Sequence, residues 1–137
     1  MKSINQWVSE IHSYAKEKGW WDAPQRTPLE IHMLVVSEVA EASECVRNGE
    51  PPIHYGTLPD SVSSMGFDFI ESNNRYLLSP WEGGKQIKCE GEAVELVDAV
   101  IRIMDYFGAK GWDLEAVMEA KHAYNQKRPY RHGGKLL

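Results

Sequence analysis

The chain is short of cysteine and has no long hydrophobic run, and each shortage excludes something. Two cysteines, Cys45 and Cys89, in 137 residues are too few and too far apart for a disulfide framework or a zinc motif. Both read as free thiols in a reducing cytoplasm. No apolar stretch reaches membrane length, and the opening residues Met1 to Trp7 enter an amphipathic pattern without the apolar core of a secretory signal. A soluble, unprocessed chain with no membrane partner is predicted. Positive charge is scarce as well: 15 Lys and Arg stand against 20 Asp and Glu, for a net charge of -5. Without a broad basic surface to neutralise a phosphate backbone, a general binder of nucleic acid polymers is excluded. There is no internal repeat and no low-complexity segment. What remains, 42% hydrophobic and 26% charged, suits a single domain over residues 1–137.

Apolar periodicity organises the chain into helices. Ile4, Trp7, Val8, Ile11, Tyr14 and Ala15 recur at helical spacing and predict a first helix over about 4–18, stopped by Gly19. A loop follows with two adjacent indoles, Trp20 and Trp21. Thr27, Pro28 and Glu30 form a capping-box start with proline at the first helical position, and predict a second helix running to Asn48-Gly49. From Glu50 to about Cys89 the period is lost among four prolines and several Gly, Ser and Asn. This reads as a long irregular insertion, with a small hairpin of Arg75–Ser79 and Lys85–Cys89 around the turn from Pro80 to Gly84. A third helix is predicted over about 91–109, and a fourth from the cap Asp113 to about Gln126. The predicted fold class is all-α: a four-helix bundle interrupted by an insertion over about 50–89.

Two carboxylate pairs of equal spacing lie within the second and third helices: Glu38-x-x-Glu41 and Glu95-x-x-Asp98. Residues three apart share a helix face, so each pair can aim two carboxylates at one point. In the second helix the acids interrupt an apolar stripe that includes Ile31, Leu34, Val35, Ala42 and Cys45. A lone buried glutamate is costly unless a cation compensates it. In the third helix Glu95, Asp98, Arg102 and Asp105 form a polar strip, which a solvated face with an Asp98 to Arg102 ion pair would also produce. The combination of two helices and two matched pairs favours a four-carboxylate cage for a hard divalent cation, Mg²⁺ first and Mn²⁺ as a substitute. Neither pair has a His at ligand spacing, which disfavours redox iron. His12, His32, His54, His122 and His132 are scattered and read as surface or satisfied core residues. Both helices are apolar around most of their circumference, so burial against several neighbours is expected, and hence a homodimer or homotetramer.

The stretches Ser37-Glu38-Val39-Ala40-Glu41-Ala42 and Glu95-Leu96-Val97-Asp98-Ala99-Val100-Ile101-Arg102 resemble the MazG-like, all-α nucleoside triphosphate pyrophosphohydrolases, whose hallmark is EExxE on one helix and ExxD on the next. Lys18-Gly19-Trp20-Trp21-Asp22 and the segment Lys121 to Lys135 are similar to that family's interhelical loop and C-terminal ending. The resemblance implies a MazG-like bundle completed by oligomerisation, with Mg²⁺ held by Glu38, Glu41, Glu95 and Asp98. It also implies cleavage of a nucleotide between the α and β phosphates, giving a monophosphate and pyrophosphate in nucleotide-pool housekeeping. Ser37 departs from the motif's first Glu, and the 53 residues between Glu41 and Glu95 exceed the family's short connection.

The basic end fits the same picture. Five Lys or Arg and no acid lie from Lys121 to Lys135, and Lys121, Asn125 and Arg128 share one face of the fourth helix. Cationic donors there would meet a triphosphate, although a solvated basic helix end has the same spacing. Trp20 or Trp21 would stack on the base. Rival readings are a dUTPase-like or phosphoribosyl-ATP pyrophosphohydrolase-like relative, and a non-enzymatic helical module that uses the insertion to bind a protein.

Overall fold

The computed structural model describes residues 1–55, 81–82, 85–86 and 88–136. It is mostly helical: α1 is Ile4–Glu17, α2 Pro28–Arg47, α3 Glu92–Lys110 and α4 Leu114–Gln126, with a kinked turn, α5, at Arg131–Gly134. Among the described residues, four two-residue strands fall in and beside the insertion: β1 His54–Tyr55, β2 Trp81–Glu82, β3 Lys85–Gln86 and β4 Cys89–Glu90. Each long helix lies within a residue or two of its predicted span, because the boundary chemistry is local. Ser3 and Thr27 accept hydrogen bonds from the backbone N–H groups of Gln6 and Glu30, whose side-chain oxygens in turn accept from the backbone N–H of the cap residue. Asp113 caps α4 by accepting from the N–H of Ala116.

The described chain forms two compact units. One comprises Met1–Gln25 and Met104–Leu137. Within it α1 and α4 meet at their starts, where the Asn5 side chain donates to Asp113 at 2.8 Å and the Asn5 backbone N–H donates to Glu115 at 3.1 Å. Val8, Ala15 and Leu114 are buried there. Asp105, read from the sequence as part of a polar strip, is instead a half-buried acceptor. The Trp21 indole N–H lies 2.9 and 3.1 Å from its two oxygens, and His12 Nδ1 lies 2.8 Å from Oδ1.

The other unit, Arg26–Ile103, carries α2, the short strands and most of α3. Its buried side chains among the described residues include Ile31, Ala42, Cys45, Pro51 and Ala99, joined by the acids Glu38 and Glu95 and by His54. The two ends of the insertion are tied together by β1 and β4, antiparallel with His54 opposite Glu90 and Tyr55 opposite Cys89. Gly91 then turns the chain into α3 with φ +116°, and a Cβ there would stand 2.5 Å from the carbonyl oxygens of both Pro51 and Pro52. Only glycine fits such a joint. The hairpin is real but shifted from its predicted place. Trp81 pairs with Gln86 and Glu82 with Lys85, so Trp81 and Glu82 are strand rather than turn, and Cys89 belongs to the other ladder. The predicted strand 75–79 lies outside the described residues. No described helix is long and apolar enough to cross a membrane.

Candidate metal centre

Glu38 projects from the middle of α2, and Glu95 and Asp98 from the first two turns of α3. Their positions follow from the Thr27 cap, which sets where α2 begins, and from the Gly91 joint, which sets where α3 begins. Among the described residues these three form the one group able to hold a metal ion, each offering an oxygen within 4.8 Å of the others. Glu38 and Glu95 are only 7% and 9% exposed. Water therefore does little to separate their charges.

The electrostatics bear the mark of that crowding. Burial pushes the Glu95 carboxyl above its ordinary 4.5, and the negative charges of Glu41, Asp98 and Glu38 push it the same way while Lys88 opposes them. Asp98 is likewise raised from 3.8, first by burial and then by Glu38, against the lowering pull of Lys88 and Arg102. Lys88, exposed in the residue before β4, donates to Glu90 at 3.4 Å. The insertion thus ends by delivering a cation beside the acids.

Three of the four acids predicted from the sequence come together. Glu41 is exposed and outside the group, though close enough to act on both Glu95 and Asp98. A step of three residues leaves a rotation of about 60° around the helix, sufficient to separate a buried from an exposed position. Ser37, at the motif's first acidic position, turns back to donate to the Leu34 carbonyl at 2.7 Å. A partner that the sequence spacing did not reveal is Arg102, which entered there only as an ion pair with Asp98 in the solvated-face alternative. Its Nε donates to Glu38 Oε1 at 2.5 Å, across from α3 to α2, instead of closing an ion pair along its own helix with Asp98. A separation of 64 residues hides such a pair from any periodicity argument.

The other predicted site residues, Trp20, Trp21, Lys121, Asn125 and Arg128, all belong to the unit of α1 and α4. Trp20 is exposed, whereas Trp21 is half-buried with its ring edge-on to His12, 5.4 Å between centroids. The Lys121 ammonium and the Arg128 guanidinium lie 5.2 and 5.9 Å from the Tyr124 ring centre, and Asn125 is exposed. No protein-family model, curated protein or solved structure matches the chain.

Proposed function

We propose that the chain is a Mg²⁺-dependent nucleoside triphosphate pyrophosphohydrolase of the MazG-like kind, cleaving ribo- or deoxyribonucleotides between the α and β phosphates. The observation that carries the reading is the meeting of Glu38, Glu95 and Asp98 from two helices, two of them buried, with their oxygens within 4.8 Å. The donor set fits Mg²⁺, which takes hard oxygen ligands and is commonly bound through a few carboxylates with water and phosphate completing the shell. Mn²⁺ would substitute on the same oxygens. Glu38, Glu95 and Asp98 would hold the ion, with Glu41 at the rim of the cluster.

When bound, such an ion supplies Lewis acidity toward phosphate oxygens and a water of lowered pKa. The protein's share is positional and electrostatic. Burial of Glu38 and Glu95 keeps their oxygens in one place, and the Lys88 ammonium beside Glu95 and Asp98 offsets part of the negative field that a polyphosphate would otherwise meet. Substrate binding by Trp20, Trp21, Lys121, Asn125 and Arg128 is supported by the family resemblance. A homodimer or homotetramer is part of the proposal, supported by apolar side chains exposed along α2 and α3, among them Met33, Val36, Val39, Val97 and Val100. The family resemblance and the two free cysteines support a cytoplasmic setting.

The test is a panel of canonical and modified triphosphates incubated with the protein and Mg²⁺, with monophosphate and pyrophosphate both quantified. Stoichiometric release of the two from at least one substrate is expected, and it should vanish in Asp98→Ala and Glu41→Ala proteins that keep their helical circular dichroism. Release of orthophosphate would exclude cleavage between the α and β phosphates. Absence of any product from a folded protein would leave the helical binding module as the better account.

A further inference from the structure

We infer that Arg102 is a built-in counter-cation of the acid cluster, which a divalent ion must displace from Glu38 in order to bind. The inference rests on the metal-centre reading above and specifies how loading of that site is controlled. Three carboxylates this close cannot remain charged in a poorly hydrated place without positive charge among them. The cation in direct contact is the guanidinium: Arg102 Nε donates to Glu38 Oε1 at 2.5 Å. This oxygen belongs to the carboxylate that α2 contributes to the candidate metal group. With the guanidinium charge seated on one Glu38 oxygen, an arriving divalent ion meets a part-neutralised carboxylate and a like charge beside it, so arginine and metal compete for Glu38.

The two partners differ in a way that decides which one yields. The Glu38 side chain is 9% exposed, whereas that of Arg102 is 36% exposed. Glu38 is largely buried, while the guanidinium already touches solvent and can be rehydrated with little rearrangement. The hydrogen bond between them runs from Nε to a single carboxylate oxygen, Oε1. Competition for one acceptor is a negative coupling between the guanidinium and the ion, and coupling free energies of this kind commonly change affinity by about 5- to 150-fold. Removing the side-chain charge should therefore tighten metal binding.

The experiment uses the full chain and Mn²⁺ as probe, with binding followed by electron paramagnetic resonance at about pH 7.5, where carboxylates are ionised. Arg102→Met is expected to bind Mn²⁺ roughly tenfold more tightly than wild type. Its metal-free melting temperature should fall, and added Mg²⁺ should raise it by more than in wild type. Arg102→Lys keeps a cation and should lie between the two. In wild-type protein labelled with ¹⁵N-arginine, the Arg102 Nε–H resonance, assigned by its loss in Arg102→Lys, should shift toward the position of a solvated guanidinium as Mg²⁺ is titrated. Tight wild-type binding with no gain in Arg102→Met overturns the counter-cation and leaves the metal centre standing. If Arg102→Met does not fold, an Nε–H resonance that stays unmoved at saturating Mg²⁺ overturns it instead. A folded wild-type protein that binds neither ion removes the metal centre, and the counter-cation with it.

Discussion

At the scale of single residues, the raised carboxyls of Glu95 and Asp98 have a consequence with a definite sign. A group whose pKa is higher folded than unfolded contributes stability that is complete below its ordinary value and lost as pH rises through the raised one. Metal-free protein should therefore lose part of its stability as pH rises from about 4 through the window just above the ordinary carboxylate range. Glu30 and Asp113 act oppositely. Backbone hydrogen bonds to their carboxylates hold both below the ordinary range, so their contribution is present above it and lost as pH falls through the lowered values. Metal binding needs Glu95 and Asp98 ionised, so Mg²⁺ affinity should rise with pH across their window and binding should release protons there. Calorimetry in two buffers of different ionisation enthalpy checks this. An equal apparent enthalpy in both buffers just above 4.5 would contradict it. Cys45 gives a second expectation. Burial, followed by the charge of Glu50, pushes its thiol up to about 11. Thiolate is the reactive form, so folded protein at about pH 8 should resist iodoacetamide at Cys45, and urea should open it to alkylation.

At the scale of elements, two joints set the position of the acids. Thr27→Ala removes the cap of α2 and half of a reciprocal pair with Glu30, and should cost about 1 kcal/mol in urea unfolding. Gly91→Ala should cost more. Its φ of +116° is strained for any side chain, and the added Cβ would meet two backbone carbonyl oxygens at 2.5 Å, neither of which can rotate away. Gly111→Ala is the internal control: its φ is +65° with nothing within 4 Å of the new Cβ, so only the left-handed penalty of about 1 to 2 kcal/mol applies. Equal losses at the two glycines would mean that the closed base of the insertion contributes little. The same comparison shows what sequence can say about joints. A capping box declares itself in four consecutive residues, whereas the closure of Gly91 on Pro51 and Pro52 depends on residues 40 and 39 positions away and has no local signature.

At the scale of the molecule, the apolar surface is the main fact to be explained. In α3 alone Leu96, Val97, Val100, Ile101 and Ile103 are exposed. Monomeric soluble proteins seldom leave patches of that kind uncovered. Light scattering on the purified chain is therefore expected to give a dimer or tetramer mass, and Val97→Glu, which places a charge on this face, should shift the population toward monomer. A monomer at concentrations well above those of the cell would count against association.

The amino-acid sequence by itself determined the all-α class, the ends of the four long helices and the identity of the acids. These are matters of local geometry: a period of 3.6, a side chain reaching its own backbone three residues on, a carboxylate at a stated turn. Which of the acids meet was a tertiary decision, because Glu38 and Glu41 differ in burial through the rotation of α2 against its surroundings. Only the tertiary structure also revealed that Arg102 reaches Glu38 rather than Asp98, and that Asp105 accepts from Trp21 and His12. Sequence spacing reports distances along a helix, and a charge in a poorly hydrated place is settled by whatever partner the packing of other segments brings within about 3 Å.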